Sequence, residues 1–316
     1  PADNADVSGR WAVQITTDDG AKLACVAEFS QSFAQVHGTL LTPFGDARFL
    51  SGEVHGDKLY LSRFDGGNAH LYRASIDEDG TLQGMLEVLG IPYSHSGVLA
   101  SALAMQKEIA KTVLKAAGVP VPGGMVVSRK EAAKQHALPL PYVIKPVAEG
   151  SSVGVFLVRE DHKHPPQELT RPDWTFGELV LVEPYIPGKE LTCAVMGDQP
   201  LGVIEIVPTV KFYDYEAKYA PGGSKHLLPA PIGAEVYREV QQIALSAHRA
   251  LGCRGVTRAD FRYDDGLAGT KGLFCLEVNT QPGMTETSLV PEMAQHAGVS
   301  FDELVRWMVE DASLDR

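Results

Sequence analysis

In Leu276-Glu277-Val278-Asn279 a carboxylate and an amide alternate with two apolar side chains, and in Thr257-Arg258-Ala259-Asp260-Phe261 a cation and a carboxylate share one face. Alternation with a period of two marks a half-buried strand, so each stretch buries one face and presents its polar pair on the other. The residues between the two stretches are rich in Asp and Gly, as a hairpin connection is. Pairing the strands would bring Asp260, Glu277 and Asn279 around one point. Three oxygen donors are what Mg2+, or the similarly hard Mn2+, accepts when phosphate oxygens and water fill its other positions. Either strand alone reads equally well as an ordinary half-exposed strand. The pair, followed by a glycine loop at Gly283, is what points to a metal site.

A second group suits phosphate. Lys145-Pro146 is followed by Glu149-Gly150-Ser151-Ser152-Val153-Gly154, which reads as a strand, a small-residue loop and another strand. Glycine and serine let the backbone come close to a ligand, so successive N–H groups can cradle phosphate oxygens while Lys145 adds charge. Taken alone such a loop is more often a plain turn; the lysine before it and the metal constellation downstream favour phosphate. Glu183 to Glu190, EPYIPGKE, ends an apolar strand at a hinge. There a nucleotide base could pair with backbone groups and a carboxylate could hold ribose hydroxyls, although the same residues would also serve as an exposed linker.

The elements that must hold these groups follow from periodicity. Trp11 to Ile15, Cys25 to Phe29, Val36 to Leu41, Phe49 to Val54, Leu59 to Phe64 and Ala69 to Tyr72 are short apolar runs separated by Gly and Asp, which predicts an antiparallel meander or small barrel. From Thr81 the period changes. Leu82, Met85, Leu86 and Leu89 predict a short helix stopped at Gly90, and Leu99 to Ala117 a longer one with Leu99, Leu103, Ile109, Val113, Leu114 and Ala117 on one side. Strands are expected at Met125 to Val127, Tyr142 to Lys145, Val153 to Val158, Leu179 to Glu183, Leu191 to Met196, Leu201 to Val207, Ala259 to Tyr263 and Phe274 to Val278. Helices are expected at Glu131 to Gln135, Glu235 to Leu251 and Phe301 to Asp311. The expected organisation is a β-rich segment over 1–76, a connecting part with the long helix over 77–120, a central domain over 121–187 and a larger α/β domain over 188–316.

Composition excludes several classes. A chain of 316 residues, 44% hydrophobic and 22% charged, is that of a globular protein with roughly two or three cores. A formal net charge of -12 and the lack of any Lys/Arg run argue against nucleic acid as a partner. No apolar run approaches the ~18 residues that span a bilayer, so no membrane partner is expected. Cys25, Cys193, Cys253 and Cys275 show no CxxC spacing, and three sit in apolar strand-like runs, as free core thiols in a reducing cytosol do. The opening PADNADVSG has neither a basic start nor an apolar signal core, so no export segment is visible, and a cleaved one would not be. A cytoplasmic location is expected.

Four stretches in order, KPVAEGSSVGV from Lys145, FYDYEAKY from Phe212, GCRGVTRADF from Gly252 and LEVNTQPGMTETSLVP from Leu276, together resemble the D-alanine-D-alanine ligases of the ATP-grasp superfamily. The resemblance runs from about 77 to the C-terminus. It implies an α/β (α+β) fold with ATP-grasp central and C-terminal domains, 77–120 being a remnant of the family's first domain and its linking helix. It implies ADP-forming peptide synthesis for the cell wall: ATP phosphorylates the carboxylate of one D-alanine, and the amine of a second attacks the acyl phosphate. It further implies that Lys107, Lys145 and Lys218 meet the ATP phosphates with Ser152 of the small-residue loop. Glu183, Ile186 and Glu190 would contact adenine and ribose, and Asp260, Glu277 and Asn279 would ligate magnesium. Arg258 and the Gly283 N–H would stabilise the tetrahedral intermediate, a cation and a dipole aimed at developing negative charge. Ser288 and the Leu289 N–H would hold the second alanine's carboxylate, while Ser151 and Tyr219 would order the loop over the site and steer the amine. The YDYEAKY loop favours an amine over a hydroxyl acceptor; Tyr213, Tyr215 and Tyr219 would otherwise be loop aromatics packing on a surface. Family members are commonly dimers, so a homodimer is expected.

Residues 1–76 depart from that pattern. The family begins with a βαβ domain carrying a Gly-Gly loop followed by an acidic residue, and then a His-Gly segment before the position of Glu78-Asp79-Gly80. Here Arg73 stands at the histidine position, and no Gly-rich strand-to-helix turn precedes it. GTLLTPFGDARFLSGEVHGDKLYLSRFDGGNAHLYRA instead resembles the β-rich segment before the thioredoxin-like domain of some exported disulfide reductases. A small antiparallel β-rich segment is therefore expected in place of the usual domain, with ATP and Mg2+ binding surviving better than ligation. Nothing in the spacing of Glu28, Glu53 or His70 recommends them as substitutes for the missing acid. Two alternatives stay open: an ATP-binding module without ligase activity, and an ATP-dependent carboxylate-amine ligase with another acceptor.

Overall fold

The structure, a computed structural model, describes residues 4–16, 20–42, 45–64, 69–76, 82–89, 92–150, 153–208 and 224–314. The chain divides into two compact units, Pro1–Pro92 and Tyr93–Arg316. In the first, β1 (Gly9–Thr16), β2 (Lys22–Ser32), β3 (Gln35–Thr42), β4 (Gly45–His55), β5 (Lys58–Phe64), β6 (Ala69–Ile76) and β7 (Leu82–Leu89) pair in sequence order as a seven-stranded antiparallel sheet. Its alternating apolar residues gather on one core of Cys25, Ala27, Val36, Leu50, Val54, Leu59 and Leu61, against which Trp11, Val13 and Ile15 pack. This is the expected meander with one correction. Residues 82–89, expected as a helix, pair with β6 from Ile76↔Leu82 to Ala69↔Leu89. Their leucine spacing fits a helical stripe, but β6 offers a row of unpaired backbone groups close in sequence, and Gly84 costs a helix about 1 kcal/mol.

The second unit opens with α1 (Val98–Met105) and α2 (Lys107–Ala116), where a single helix is expected over 99–117. At Gln106 the backbone turns extended, with φ -87° and ψ 92°, and the Lys107 N–H donates to the Val147 carbonyl at 3.0 Å. The buried face of α2 also differs from the apolar reading. It carries Lys107, Ala110, Lys111 and Leu114, whereas Leu99 and Ile109 are 73% and 48% exposed. Two lysines take the inward positions because a carboxylate and a main-chain carbonyl lie opposite them.

β8 (Met125–Ser128), β9 (Tyr142–Pro146), β10 (Phe156–Val158) and β11 (Leu179–Pro184) form a four-stranded antiparallel sheet in the order β10-β9-β11-β8. A reciprocal Ser128/Glu131 capping box starts the short α3 (Arg129–Ala132) over its core. β12 (Lys189–Met196), β13 (Gln199–Pro208), β14 (Ser224–Leu227), β15 (Val256–Tyr263) and β16 (Leu273–Asn279) form a five-stranded antiparallel sheet in the order β14-β13-β12-β15-β16. One of its faces meets α4 (Ala234–Ala250) through Val236, Val240, Ile243, Ala244 and Ala247, a helical stripe that seals Leu191, Cys193, Phe261 and Cys275. On the other face α5 (Leu289–His296) and α6 (Phe301–Asp311) cover Ala194, Ile204 and Val256 with Val290, Met293 and Leu304. Further along that same face, alternation brings up Thr192, Arg258, Asp260 and Arg262. The four cysteines are buried and free.

Candidate active site

The β15–β16 register places Arg258 opposite Asn279 and Asp260 opposite Glu277, then slips so that Phe261 faces Cys275. Leu276 is the extra residue of this bulge. It leaves the core with Glu277 and lines a cleft, whereas Cys275 and Val278 stay buried. The expectation that Leu276 is buried with Val278 is thus corrected: a bulge puts two consecutive side chains toward one side. Arg258 grips Asp260 with two hydrogen bonds of 2.8 Å, Nε to Oδ1 and Nη2 to Oδ2. Thr192, directly across on β12, donates to the same Oδ1 at 2.6 Å. Asn279 Oδ1 accepts the Gln281 N–H at 3.0 Å. The charges of Asp260 and Glu277 both help burial push the Cys275 thiol up, so the two carboxylates bear on one locus. Among the described residues no three His, Cys, Asp or Glu side chains converge as a metal site, and the third donor of this set is an amide. An all-oxygen set of two carboxylates and an amide fits a hard divalent cation.

A cationic corner faces it. Lys145 and Glu183 lie on adjacent antiparallel strands, Lys145 opposite Leu181 and Glu183 opposite Val143, which makes them diagonal neighbours. Lys145 holds Oε2 of Glu183, and Lys111 holds Oε1. The carboxylate is 3% exposed and each lysine 8%. Lys107, one turn before Lys111, donates to the Glu149 carbonyl, and the Glu277 carboxylate attracts both Lys107 and Lys145. Glu183 thus serves as the counter-ion of two lysines. Burial pulls the Lys111 ammonium down to about 7, aided by the charge on Lys145, and pulls Lys145 down to about 8 against the attraction of Glu277. Lys111 was not singled out by the sequence, although its i, i+4 spacing from Lys107 put both on one helix face.

These ammonium groups carry a pH dependence. A lysine held below its unfolded value near 10.4 binds fewer protons folded than unfolded between roughly pH 7 and 10, so across that window the cluster's contribution to stability rises with pH. A bound polyphosphate draws the protons back. Calorimetry of ATP binding at pH 8, in two buffers of different ionisation enthalpy, is expected to show uptake of about one proton per nucleotide; identical heats in the two buffers would contradict it.

Beside the cationic corner runs a cleft lined by Leu157, Ile186 and Leu276, with Lys145, Glu183, Glu190 and Arg262 among its polar residues. Apolar walls with polar groups at the edges suit a flat base attached to an anionic tail. Ile186 lies in the Tyr185–Gly188 turn that joins β11 to β12. Beyond β16, the loop from Gly283 folds back on Ser288: a Cβ at Gly283 would stand 3.0 Å from Ser288 Oγ. Ser288 Oγ accepts the Thr285 N–H at 3.1 Å and makes no cap hydrogen bond within α5, which begins at Leu289. The first amides of α5 therefore point out of its N-terminus, where a carboxylate is favoured.

The structure thus brings together Asp260, Glu277, Asn279 and Arg258; Lys107, Lys145 and Glu183; Ile186 and Glu190; and Gly283, Ser288 and Leu289. Ser151, Ser152, Lys218 and Tyr219, with the rest of the FYDYEAKY stretch, lie outside the described residues. Thr192, Lys111 and Arg262 are members of the site that the sequence reading missed.

Two antiparallel sheets joined by a hinge turn, with a cleft lined by Lys145, Glu183, Glu190 and Arg262, define an ATP-grasp protein, and solved ligase structures share the fold. The family described as D-ala D-ala ligase C-terminus matches residues 113–310. The D-alanine--D-alanine ligase of Rhodopseudomonas palustris (strain BisB18) is 71% identical over 239 residues, 76% of this chain and 78% of that one. That of Azorhizobium caulinodans is 69% identical over the same shares. Among solved structures, the D-alanine--D-alanine ligase of Bacillus anthracis complexed with ATP has a TM-score of 0.56 and 28% identity over 70% of each chain. The D-Ala:D-Ser ligase of Enterococcus faecalis has a TM-score of 0.57 and 33% identity, covering 70% of this chain and 65% of that one. The chain belongs to the D-alanine-D-alanine ligase family.

Proposed function

We propose that this chain is an ATP- and Mg2+-dependent D-alanine-D-alanine ligase that makes the dipeptide for peptidoglycan precursors. The observation that carries the reading is the Arg258–Asp260 pair set beside Glu277 and Asn279, facing the cluster of Lys107, Lys111 and Lys145. In this reading Asp260, Glu277 and Asn279 hold the metal ion, which when bound neutralises phosphate charge during transfer. Lys107 and Lys145 hold phosphate oxygens, and Ser152 and Lys218 complete that role. Ile186 and Glu190 meet the base and ribose at the hinge, with Glu183 tying the lysines beneath them. The phosphoryl group passes from ATP to the carboxylate of the first D-alanine; the amine of the second then attacks that carbonyl and phosphate leaves. Arg258 and the Gly283 N–H balance the negative charge on the carbonyl oxygen, and positioning plus neutralisation is the bulk of what such transfers need. Ser288 and the Leu289 N–H hold the acceptor's carboxylate at the start of α5, and Ser151 and Tyr219 steer its amine. The domains of this reading are 121–187 and 188–316; of the connecting part expected over 77–120, Leu82–Leu89 belongs to the first unit's sheet and α1 and α2 lead into the later domains. The enzyme works in the cytoplasm, as a homodimer. No helix of the described residues is long and apolar enough to cross a membrane.

One observation favours a second reading, an ATP-binding chain poor at ligation. Every element among the described residues of 9–89 is a strand of one antiparallel meander, and none is a helix of the kind the usual βαβ domain contains. The decisive experiment uses the whole 316-residue chain. ADP and ATP binding are measured by calorimetry with Mg2+, beside phosphate release and dipeptide formation with D-alanine. Dipeptide formed with phosphate release supports the ligase; nucleotide binding with neither supports the second reading; absence of nucleotide binding overturns both.

A further inference from the structure

The hinge at the nucleotide cleft is held by a residue outside the phosphate and metal groups. Arg262 follows Arg258 and Asp260 on the same face of β15 and lies directly opposite Glu190 on β12. Its Nε donates to the Ile186 carbonyl at 2.9 Å, and its Nη2 donates to the Gly188 carbonyl at 3.0 Å and the Tyr185 hydroxyl at 3.1 Å. The guanidinium carbon sits 5.3 Å from the centre of the Tyr185 ring, and Nη1 is 3.9 Å from the Glu190 carboxylate. The side chain is 17% exposed, so these contacts are made largely away from water. The turn it grips is itself demanding. Gly188 has φ +83°, and a Cβ there would run into the Tyr263 carbonyl, so the chain can pass only with glycine and only in close contact with β15.

We propose that Arg262 is a positioning residue for the nucleotide, clamping the Tyr185–Gly188 turn and the Glu190 carboxylate in the arrangement that receives base and ribose. The inference rests on the ATP reading above and adds a residue to it. A planar fork with donors on three nitrogens can satisfy two carbonyls, a hydroxyl and a carboxylate at once; an ammonium on a flexible stem cannot. Without it the turn keeps its covalent path but loses three hydrogen bonds that tie it to β15. Its ordering then has to be supplied by the nucleotide at binding.

The test compares the unsubstituted chain with Arg262→Gln and Arg262→Lys. In nucleotide-free protein, amide exchange across Tyr185–Glu190 is expected to speed up about tenfold in both variants while α6 is unchanged. The KM for ATP and the Kd for ADP are expected to rise about tenfold or more, with kcat and the KM for D-alanine within twofold, and lysine giving no rescue. Unchanged exchange with unchanged ADP affinity would overturn the clamp alone. A parallel fall in kcat, with faster exchange across the whole domain, would assign Arg262 a general structural role and overturn it also. Failure of the unsubstituted chain to bind ADP would overturn the ATP reading itself, a result distinct from either.

Discussion

Replacing Glu183 by glutamine is expected to lower the melting temperature of the nucleotide-free protein by on the order of 10 °C. The carboxylate is the shared partner of Lys111 and Lys145, all three side chains being at least 90% buried. Removing one member of a buried charge group costs about 3–5 kcal/mol, because what remains is charge without compensation. Deprotonation sets the ceiling: neutralising at pH 7 a lysine whose free value is about 10.4 costs roughly 4.6 kcal/mol, and each kilocalorie moves the midpoint of a domain this size by about 2–4 °C. The deficit is expected to shrink toward pH 10, where the lysines shed protons readily, and to shrink again with saturating ATP, whose phosphates return negative charge to the corner. Thermal scans of the two proteins at pH 7 and pH 10, with and without nucleotide, check all three parts. A midpoint unchanged at pH 7 would mean that the carboxylate does not carry the lysines.

Asp260→Asn is expected to reduce D-alanine-dependent phosphate release by at least about 100-fold, beyond the 10–100-fold typical of groups that only support a metal ligand. The substitution keeps the shape and can keep the hydrogen bonds to Oδ1, but it halves the anionic charge of the proposed metal set and costs Arg258 its ion pair and its Nη2–Oδ2 hydrogen bond. Both losses fall on the same reaction centre: the metal is held less tightly, and the guanidinium is aimed by one hydrogen bond instead of two. Raising Mg2+ is therefore expected to recover ATP affinity in part and turnover hardly at all. Titrating Mg2+ against both quantities separates the effects. Full recovery of turnover at high Mg2+ would show that orientation of Arg258 contributes nothing.

Much of this was legible before any fold was known, and the reason is local. Alternation at Arg258/Asp260 and Glu277/Asn279 fixed which side chains could share a face, because a strand's period of two is a property of the backbone. The helices over Ala234–Ala250 and Phe301–Asp311 declare themselves by apolar stripes, the latter with a Ser300/Glu303 capping box at its start. The resemblance carried by four stretches pointed to the family that the comparisons then showed.

What the tertiary structure alone decided lies where a local pattern has two solutions. Leu82–Leu89 satisfies a helix and a strand alike, and the free edge of β6 chose the strand. Lys107 and Lys111 sit at inward positions of α2 that a hydrophobic reading assigns to Ile109 and its neighbours, since only the approach of Glu183 and Glu149 makes burial of an ammonium tolerable. The bulge at Leu276 moves one side chain from core to cleft because β15 and β16 must keep pairing on both sides of it. Arg262 and Thr192 gained their parts from cross-strand register. The chain's own order of residues specifies which groups are available on each face; which of them meet is set by pairing between segments distant in sequence, and no periodicity encodes that.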